Sequence, residues 1–268
     1  MKYLICSIIR DSEKILPMYF KQIEDIINLL PQDEFSISIF ENDSIDNTKN
    51  LLKNYNYTSF KNHFISSQNL GYQKFGSVAS EERVKLFSIC RNRVLDQVPD
   101  LFLYDKIIWI ESDIFYIPQQ VIELITNESF DVYSGISLRC NYEELKNFNF
   151  NCQEWLKYIY SKEYHPWIHG CRDGWATRIK PEHLVNPISG DEYLQYFESK
   201  DSIIPFYSTY NSFCTYKTKP FVEGIRFGYI NSFYNKFDCD TYVVCENLQK
   251  AGYNKIFVNN SIKILHIE

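Results

Sequence analysis

The sequence predicts an α/β protein with a mostly parallel central sheet flanked by helices. In the first half of the chain, apolar runs rich in β-branched residues alternate with segments whose apolar residues recur at helical spacing. This alternation is typical of parallel strands joined by crossover helices. In addition, the apolar run at 106–110 stops abruptly at Glu111, Ser112 and Asp113. A buried parallel strand ends in this way where it reaches the sheet edge at which α/β proteins place their chemistry.

The first half is predicted to follow the order β-α-β-α-β-α-β, with right-handed crossovers. The predicted strands cover 3–9, 35–40, 63–66 and the run from 106. The predicted helices run from about Ser12, as an N-cap, to Pro31, through Leu51, Leu52 and Tyr55, and over 81–98.

The second half is less regular, and its elements are predicted singly. A helix is expected over 119–125, a strand over 131–138, an aromatic and irregular excursion over 139–170, a polar helix near 191–198, strand-like pieces over 213–216 and 221–227, a helix over 241–250 ending at Gly252, and a last strand over 255–267. We interpret the chain as one domain, with a nucleotide-binding half (1–117) and an acceptor-side half (118–268).

Composition limits the class of protein. The 268 residues carry a formal charge of −6, which excludes a non-specific nucleic-acid binder because such a protein needs a basic face. The eight cysteines form no Cys-x-x-Cys pair, so a zinc knuckle is not predicted. The first apolar run is too short for a signal peptide or a membrane span. We therefore expect a cytoplasmic protein with reduced thiols and no integral membrane segment.

Three strand ends carry polar clusters: Ser7 to Arg10, Glu41 to Asp43, and Glu111 to Asp113. Since parallel strands end at a common edge, these clusters are predicted to line one crevice of nucleotide size. Glu111 and Asp113, two residues apart, point the same way in an extended segment and can bind Mn²⁺ or Mg²⁺ with positions left for phosphate oxygens. Glu41 or Asn42 can read the base or ribose. The alternatives are a solvated turn at 111–113 and a helix cap at 43–44.

Four further positions are candidates, each with a structural alternative. Arg91 can point inward to brace the carboxylates or bind a diphosphate, or lie on a solvated face. His266 can be a third metal donor or a structural histidine. Asp238 and Asp240 can cap the helix that follows them or face the reaction centre. Asp173, in a Gly-flanked turn, is a further candidate for that role.

The order of these motifs resembles glycosyltransferase family 69, the family of the cryptococcal capsule-associated α-1,3-mannosyltransferase. The resemblance is carried by Glu-Asn-Asp-Ser-x-Asp-x-Thr at 41–48, Glu-Arg-Val-x-Leu-Phe-x-x-Cys-Arg-Asn-x-Val-Leu at 82–95 and Trp-Ile-Glu-Ser-Asp-Ile-Phe at 109–115. Arg-Asp-Gly-Trp-Ala-Thr-Arg at 172–178 and the segment 240–266 add weaker likeness.

The resemblance implies a GT-A type fold, a GDP-mannose donor and retention at the anomeric carbon. It also implies roles for Glu111 and Asp113 (metal and donor diphosphate), Arg91 and Asn92 (an arginine-asparagine pair), Asp240 (an acid near the reaction centre) and His266 (metal). The fungal relatives carry a membrane anchor and luminal disulfides. Because no anchor is evident here, the compartment and acceptor are expected to differ.

The resulting hypothesis is metal-dependent transfer of a sugar, possibly mannose, from a GDP- or UDP-sugar to a glycan or other hydroxyl acceptor. The predicted metal ligands are Asp113, His266 and Glu111. The predicted donor contacts are Ser7, Arg10, Glu41, Asn42, Arg91, Asn92, Glu111, Ser112 and Asp113, and the predicted catalytic acids are Asp240, Asp238 and Asp173.

Two other classes stay open. A sugar-phosphate nucleotidyltransferase would show a glycine-rich basic loop where Ser7-Ile8-Ile9-Arg10 stands. A non-catalytic carbohydrate-binding protein would use its aromatic surface alone, for instance Trp167 and Trp175.

Overall fold

The computed structural model describes residues 1–76, 79–161, 174–181 and 202–267. Within these ranges a nine-stranded sheet and a separate two-stranded ribbon are present. The strands are β1 Lys2–Ile9, β2 Glu34–Asn42, β3 His63–Gln68, β4 Lys106–Ile110, β5 Ile114–Tyr116, β6 Val132–Cys140, β7 Ile203–Pro205, β8 Phe213–Lys217, β9 Ile230–Asn231, β10 Lys236–Phe237 and β11 Ile256–Ile267. The helices are α1 Leu16–Leu29, α2 Thr48–Asn54, α3 Glu81–Asp96, α4 Pro118–Thr126, α5 Tyr142–Asn147, α6 Cys152–Ser161, α7 Lys219–Val222 and α8 Asp240–Lys250.

Strand direction places the ends of distant strands at one edge of the sheet. The order is β3-β2-β1-β4-β8-β6-β11-β5, with β7 also paired to β11. The first four strands are mutually parallel, as predicted. Because β8 is antiparallel to both β4 and β6, and β6 is parallel to β11, strands β4, β6 and β11 run the same way. The carboxyl ends of β1, β2, β4 and β11 therefore share one edge.

The two sheet faces bury different helices, because successive side chains of a strand alternate between faces. Ile5 of β1 and Ile108 of β4 belong to the hydrophobic cluster of α1 and α4. Cys6 and Trp109, one residue further along each strand, belong to the cluster of α3 and α8. Each face is thus covered, as the near-continuous apolar runs of these strands predict.

Helix α1 begins later than predicted, at Leu16 rather than near Ser12. Pro17 lies in its first turn, where a missing N–H costs nothing. The Ser12 hydroxyl instead contacts Arg10 O and Ser112 Oγ, at 3.0 Å each. Ser12 is therefore a link between two strand ends and not a helix cap.

Two predictions for the second half are wrong. Residues 142–147 and 152–161 are helical rather than irregular, because Asn141 and Asn151 each accept hydrogen bonds from backbone N–H groups of the helix that follows. Residues 221–227 form no strand, since Pro220 starts the short helix α7. The helix expected at 191–198 and the residues Trp167 and Asp173 lie outside the described ranges.

The cysteines and the helix lengths are known for the described residues only. Six cysteines, at positions 6, 90, 140, 214, 239 and 245, are buried. None of the helices in the described parts of the chain has the length and apolar content needed to cross a lipid bilayer.

Candidate active site

A cleft of about 420 Å³ opens at the shared carboxyl edge of the strands. Six of the residues singled out in the sequence line it: Arg10, Asn42, Glu111, Ser112, Asp113 and His266. They come from the ends of β1, β2, β4 and β11. The convergence expected for parallel strand ends is thus present.

Glu111, Asp113 and His266 form a compact group of potential metal donors, which we call the triad. The His266 Nε2 atom lies 3.4 Å from Glu111 Oε2 and 3.5 Å from Asp113 Oδ1. One donor atom from each residue lies within 4.8 Å of the others. The side chain of His266 is 3% exposed, that of Glu111 24% and that of Asp113 40%, so the group is closed on the protein side and open toward the cleft.

The backbone around His266 fixes which ring nitrogen faces the carboxylates. Its Nδ1 atom lies 3.0 Å from the carbonyl oxygen of Ile267. A carbonyl oxygen only accepts, so Nδ1 carries the hydrogen and Nε2 is directed at the two acids. The Ile267 N–H in turn donates to Asp113 O at 2.8 Å, which ties the end of β11 to the loop after β4.

Arg91 connects the triad to helix α8. Its Nε donates to Asp240 Oδ2 at 2.6 Å, its Nη1 donates to the Tyr210 hydroxyl at 2.9 Å, and its Nη2 lies 3.4 Å from Glu111 Oε1. The guanidinium also stacks near the ring of Tyr210, 4.5 Å from its centroid. Arg91 therefore points inward and contacts Glu111 instead of facing solvent. This is one of the two orientations that the sequence left open.

This arrangement acts on the protonation of both acids. Burial by itself would raise the pKa of Glu111, but the hydrogen bond from His266 and the charges of His266 and Arg91 lower it below its usual range. Burial raises the pKa of Asp240, and the Arg91 guanidinium opposes that rise. Glu111 is consequently held as an anion at neutral pH.

A turn before β8 supplies two of the contacts. Asn211 and Ser212 both have positive φ, 51° and 62°, a conformation that costs energy for a residue with a side chain. The turn places the Tyr210 hydroxyl on Arg91, and the Ser212 carbonyl accepts from the Glu111 N–H at 3.0 Å. Sequence reasoning missed Tyr210, because nothing in the local pattern marks a tyrosine as a partner of a residue far earlier in the chain.

Ser7 and Glu41 do not reach the cleft. The Ser7 hydroxyl lies 2.6 Å from both Tyr19 Oη and Ile110 O, inside the core. Glu41 is fully buried and accepts from the Ser44 N–H at 2.8 Å. Both residues connect elements of the fold, and the expectation that they contact a donor stays a prediction.

Asn92 and Asp238 are likewise committed to the fold. The Asn92 amide exchanges two hydrogen bonds of 2.9 Å with the backbone of Phe227. Asp238 is buried and forms a two-point ion pair with Arg178, and it also accepts from Trp175 Nε1 at 3.0 Å. This pair fastens the segment 174–181 to the start of α8.

Two basic residues of the cleft were missed in the sequence. Lys74 and Arg83 line it together with Arg10. The signal for Arg83 is its spacing: Arg83, Phe87 and Arg91 stand at i, i+4 and i+8 of helix α3, so they share the side that faces the sheet edge.

Solved structures of three proteins share this fold at low sequence identity. Residues 1–349 of S. aureus TarS match with a TM-score of 0.54 and 13% identity, over 100% of this chain and 60% of that chain. GalNAc-T7, solved with UDP, GalNAc and Mn²⁺, matches with a TM-score of 0.55 and 10% identity. The match covers 100% of this chain and 44% of that chain. The mannosyltransferase PcManGT from Pyrobaculum calidifontis, solved with GDP-Man and Mn²⁺, matches with a TM-score of 0.51 and 8% identity. The match covers 99% of this chain and 56% of that chain.

These structures establish the GT-A type fold for this chain, which spans between 44% and 60% of their lengths. No curated protein sequence matches the chain significantly. The family model described as Cryptococcal mannosyltransferase 1, however, matches residues 2–246. That match covers most of the 268 residues, so the protein belongs to the cryptococcal mannosyltransferase 1 family.

Proposed function

We propose that the protein is a metal-dependent glycosyltransferase that moves a sugar from a nucleotide-diphosphate sugar to a hydroxyl acceptor. The observation that carries the proposal is the convergence of Glu111, Asp113 and His266 on one side of a cleft at the carboxyl edge of the sheet. Membership of a mannosyltransferase family supports the reaction class.

The triad fits a divalent cation. Two donor atoms each about 2.1 Å from a cation and at right angles are about 3 Å apart, so donor separations of 3.4 and 3.5 Å need little adjustment. Two carboxylates with one imidazole suit Mn²⁺ better than Mg²⁺, which prefers oxygen ligands alone. When bound, such a cation supplies positive charge that offsets the charge developing on the departing diphosphate.

The remaining residues act on the triad. The bond between the anomeric carbon and a diphosphate oxygen breaks, a bond to the acceptor oxygen forms, and the acceptor hydroxyl gives its proton to the departing diphosphate. Arg91 keeps Glu111 ionised and oriented, and Asp240 holds Arg91 at 2.6 Å. Since Asp240 is 2% exposed and paired with Arg91, we assign it a positioning role in place of the position near the reaction centre that the resemblance implies.

The family and the neighbouring structures rank the donors to be tested. The family name favours mannose, PcManGT was solved with GDP-Man, and TarS was also solved with UDP. We therefore propose GDP-mannose first and UDP-sugars second. Retention of configuration is carried by the resemblance alone, and NMR of the product anomer tests it.

The test combines calorimetric titration with a donor-hydrolysis assay. The wild-type protein is expected to bind GDP or UDP with Mn²⁺ and to lose that binding when the metal is chelated. Asp113→Asn should abolish metal-dependent nucleotide binding and hydrolysis of the donor, whereas Asp96→Asn, which removes an exposed carboxylate at the end of α3, should leave both unchanged.

Retained turnover of Asp113→Asn at saturating Mn²⁺ would contradict the proposal. The other two classes give different results in the same experiments. A nucleotidyltransferase would release pyrophosphate from a nucleoside triphosphate, and a carbohydrate-binding protein would bind sugar without regard to nucleotide or metal.

A further inference from the structure

The cleft contains three basic side chains that differ in how their charge is compensated. The two terminal N–H groups of Arg10 donate to the carbonyl oxygens of Tyr72 and Gln73, at 2.8 and 3.3 Å. Its Nε also lies 3.8 Å from Asp11 Oδ2. Lys74 lies 3.7 Å from the same carboxylate and is 67% exposed. Arg10 and Lys74 are thus paired with an acid of the protein, and the contacts of Arg10 hold the loop that forms one wall of the cleft.

Arg83 has no such compensation. It is partly buried at the cleft and lies 4.7 Å above the centroid of the Phe87 ring. In the part of the chain that the structure describes, its guanidinium has no ion-pair or hydrogen-bond partner, and its Nε is a buried donor without an acceptor. Arg91, two turns further along α3, shows the contrast, since all three of its guanidinium nitrogens have acceptors.

The buried Arg83 Nε is a donor that the described protein leaves without an acceptor, and a bound anion completes it, because buried polar groups are normally hydrogen-bonded. The same cleft also contains the triad. Its two carboxylates would repel an incoming diphosphate if no cationic group faced that diphosphate. A ligand that suits both Arg83 and the triad has an anionic group that pairs with Arg83 and that also coordinates a metal ion held by the triad.

We propose that Arg83 binds the diphosphate group of the donor, an inference that rests on the proposed function. The planar guanidinium donates two parallel N–H bonds to phosphate oxygens, a geometry that lysine cannot reproduce. The Phe87 and Trp175 rings, with centroids 4.7 and 5.9 Å from Arg83 Cζ, flank the guanidinium and favour its positive charge. Arg83 thereby supplies the cationic contact that the buried and fully paired Arg91 cannot offer.

The experiment measures Mn²⁺-dependent binding of GDP and UDP, and of the corresponding monophosphates, to wild type, Arg83→Gln, Arg83→Lys and Arg93→Gln. Arg93→Gln is the matched control because it removes an arginine of the same helix that contacts Gln68 outside the cleft. We expect Arg83→Gln to weaken diphosphate binding about 10- to 100-fold, the range for hydrogen bonds to charged groups. Arg83→Lys should recover part of the loss, and Arg93→Gln should bind as wild type does.

Direct titration of Mn²⁺ and a thermal melt complete the test. Both should be unchanged in Arg83→Gln, since Arg83 contacts neither the triad nor a buried acid of the described chain. Diphosphate binding by Arg83→Gln within twofold of wild type would overturn this inference while leaving the proposed function intact. Absence of nucleotide binding by the wild-type protein, with or without Mn²⁺, would overturn both.

Discussion

Replacing Arg91 by methionine tests the ion network that joins the triad to α8. Arg91 and Asp240 are 3% and 2% exposed, with Nε and Oδ2 2.6 Å apart. Methionine removes the cation but leaves Asp240 buried beside Glu111. Loss of one partner of a buried pair costs about 3–5 kcal/mol of unfolding free energy. For a chain of this size about 2–4 °C of melting temperature corresponds to each kcal/mol, so the expected decrease is about 6–20 °C.

A double-mutant cycle separates this pair from the surrounding core. Asp240→Leu alone should also destabilise, because Arg91 is then buried with Glu111 as its only carboxylate partner among the described residues. The double variant Arg91→Met/Asp240→Leu should be more stable than the sum of the single losses predicts, since no uncompensated charge of the pair is left. Asp96→Leu is the control: its pair with Arg226 is 3.1 Å long but 58% and 37% exposed, and such pairs contribute about 0–1 kcal/mol.

Urea unfolding followed by tryptophan fluorescence is the assay, because Trp109 is fully buried next to Arg91. The pH dependence gives a second readout. Without Arg91, burial and the charge of Glu111 raise the pKa of Asp240 further, because the opposing guanidinium is gone, so the native state keeps a proton that the unfolded state releases. Stability then falls as pH rises above the unfolded pKa, and the deficit of Arg91→Met should be larger at pH 7 than at pH 4.5. A deficit under 1 kcal/mol at pH 7, or strict additivity in the cycle, would refute the reasoning.

Two further predictions concern single side chains. Asn92→Ala should lower the free energy of unfolding by about 1–3 kcal/mol, because it leaves the Phe227 N–H and C=O without their 2.9 Å partners. Mn²⁺-dependent nucleotide affinity, measured by calorimetry, should change less than tenfold. A larger loss of affinity at unchanged stability would mean that Asn92 contacts the donor. The buried ammonium of Lys106 donates to Ile125 O and Asn127 O at 2.7 and 2.6 Å, and burial lowers its pKa to about 8. Because the unfolded chain binds more protons than the folded chain above that pH, the free energy of unfolding should rise by about 1.5 kcal/mol between pH 8 and pH 9.5. Denaturant titrations of Lys106→Met should not show this rise.

The sequence was sufficient for the parallel first half and for the region of the site, because both depend on strand periodicity and on the common edge of parallel strands. It was insufficient for contacts that join distant segments. Nothing near Asn92 indicates Phe227 as its partner, and nothing near Arg91 indicates Tyr210. The helices α5 and α6 were missed for a local reason, since they are short and lie in an aromatic stretch, and their asparagine caps were not recognised.

The two-residue alternation of strands explains which of the predicted strand-end residues reach the cleft. On β1, the odd-numbered Ile5 packs toward α1 and the even-numbered Cys6 toward α3. Ser7 shares the α1 side, in agreement with its contact to Tyr19, whereas Arg10 lies on the α3 side and lines the cleft.

The ladder register carries this alternation across the sheet. Cys6 is paired with Trp109, and Ile8 with Phe40, so even positions of β1 share a face with odd positions of β4 and even positions of β2. Asn42 and Glu111 therefore lie on the α3 side, and Glu41 on the other. Helix α3 covers that same face and supplies Arg91 to Glu111 and Arg83 to the cleft. The composition of the site thus follows from strand direction, from ladder register and from helix α3, which lies over the sheet face that the register selects.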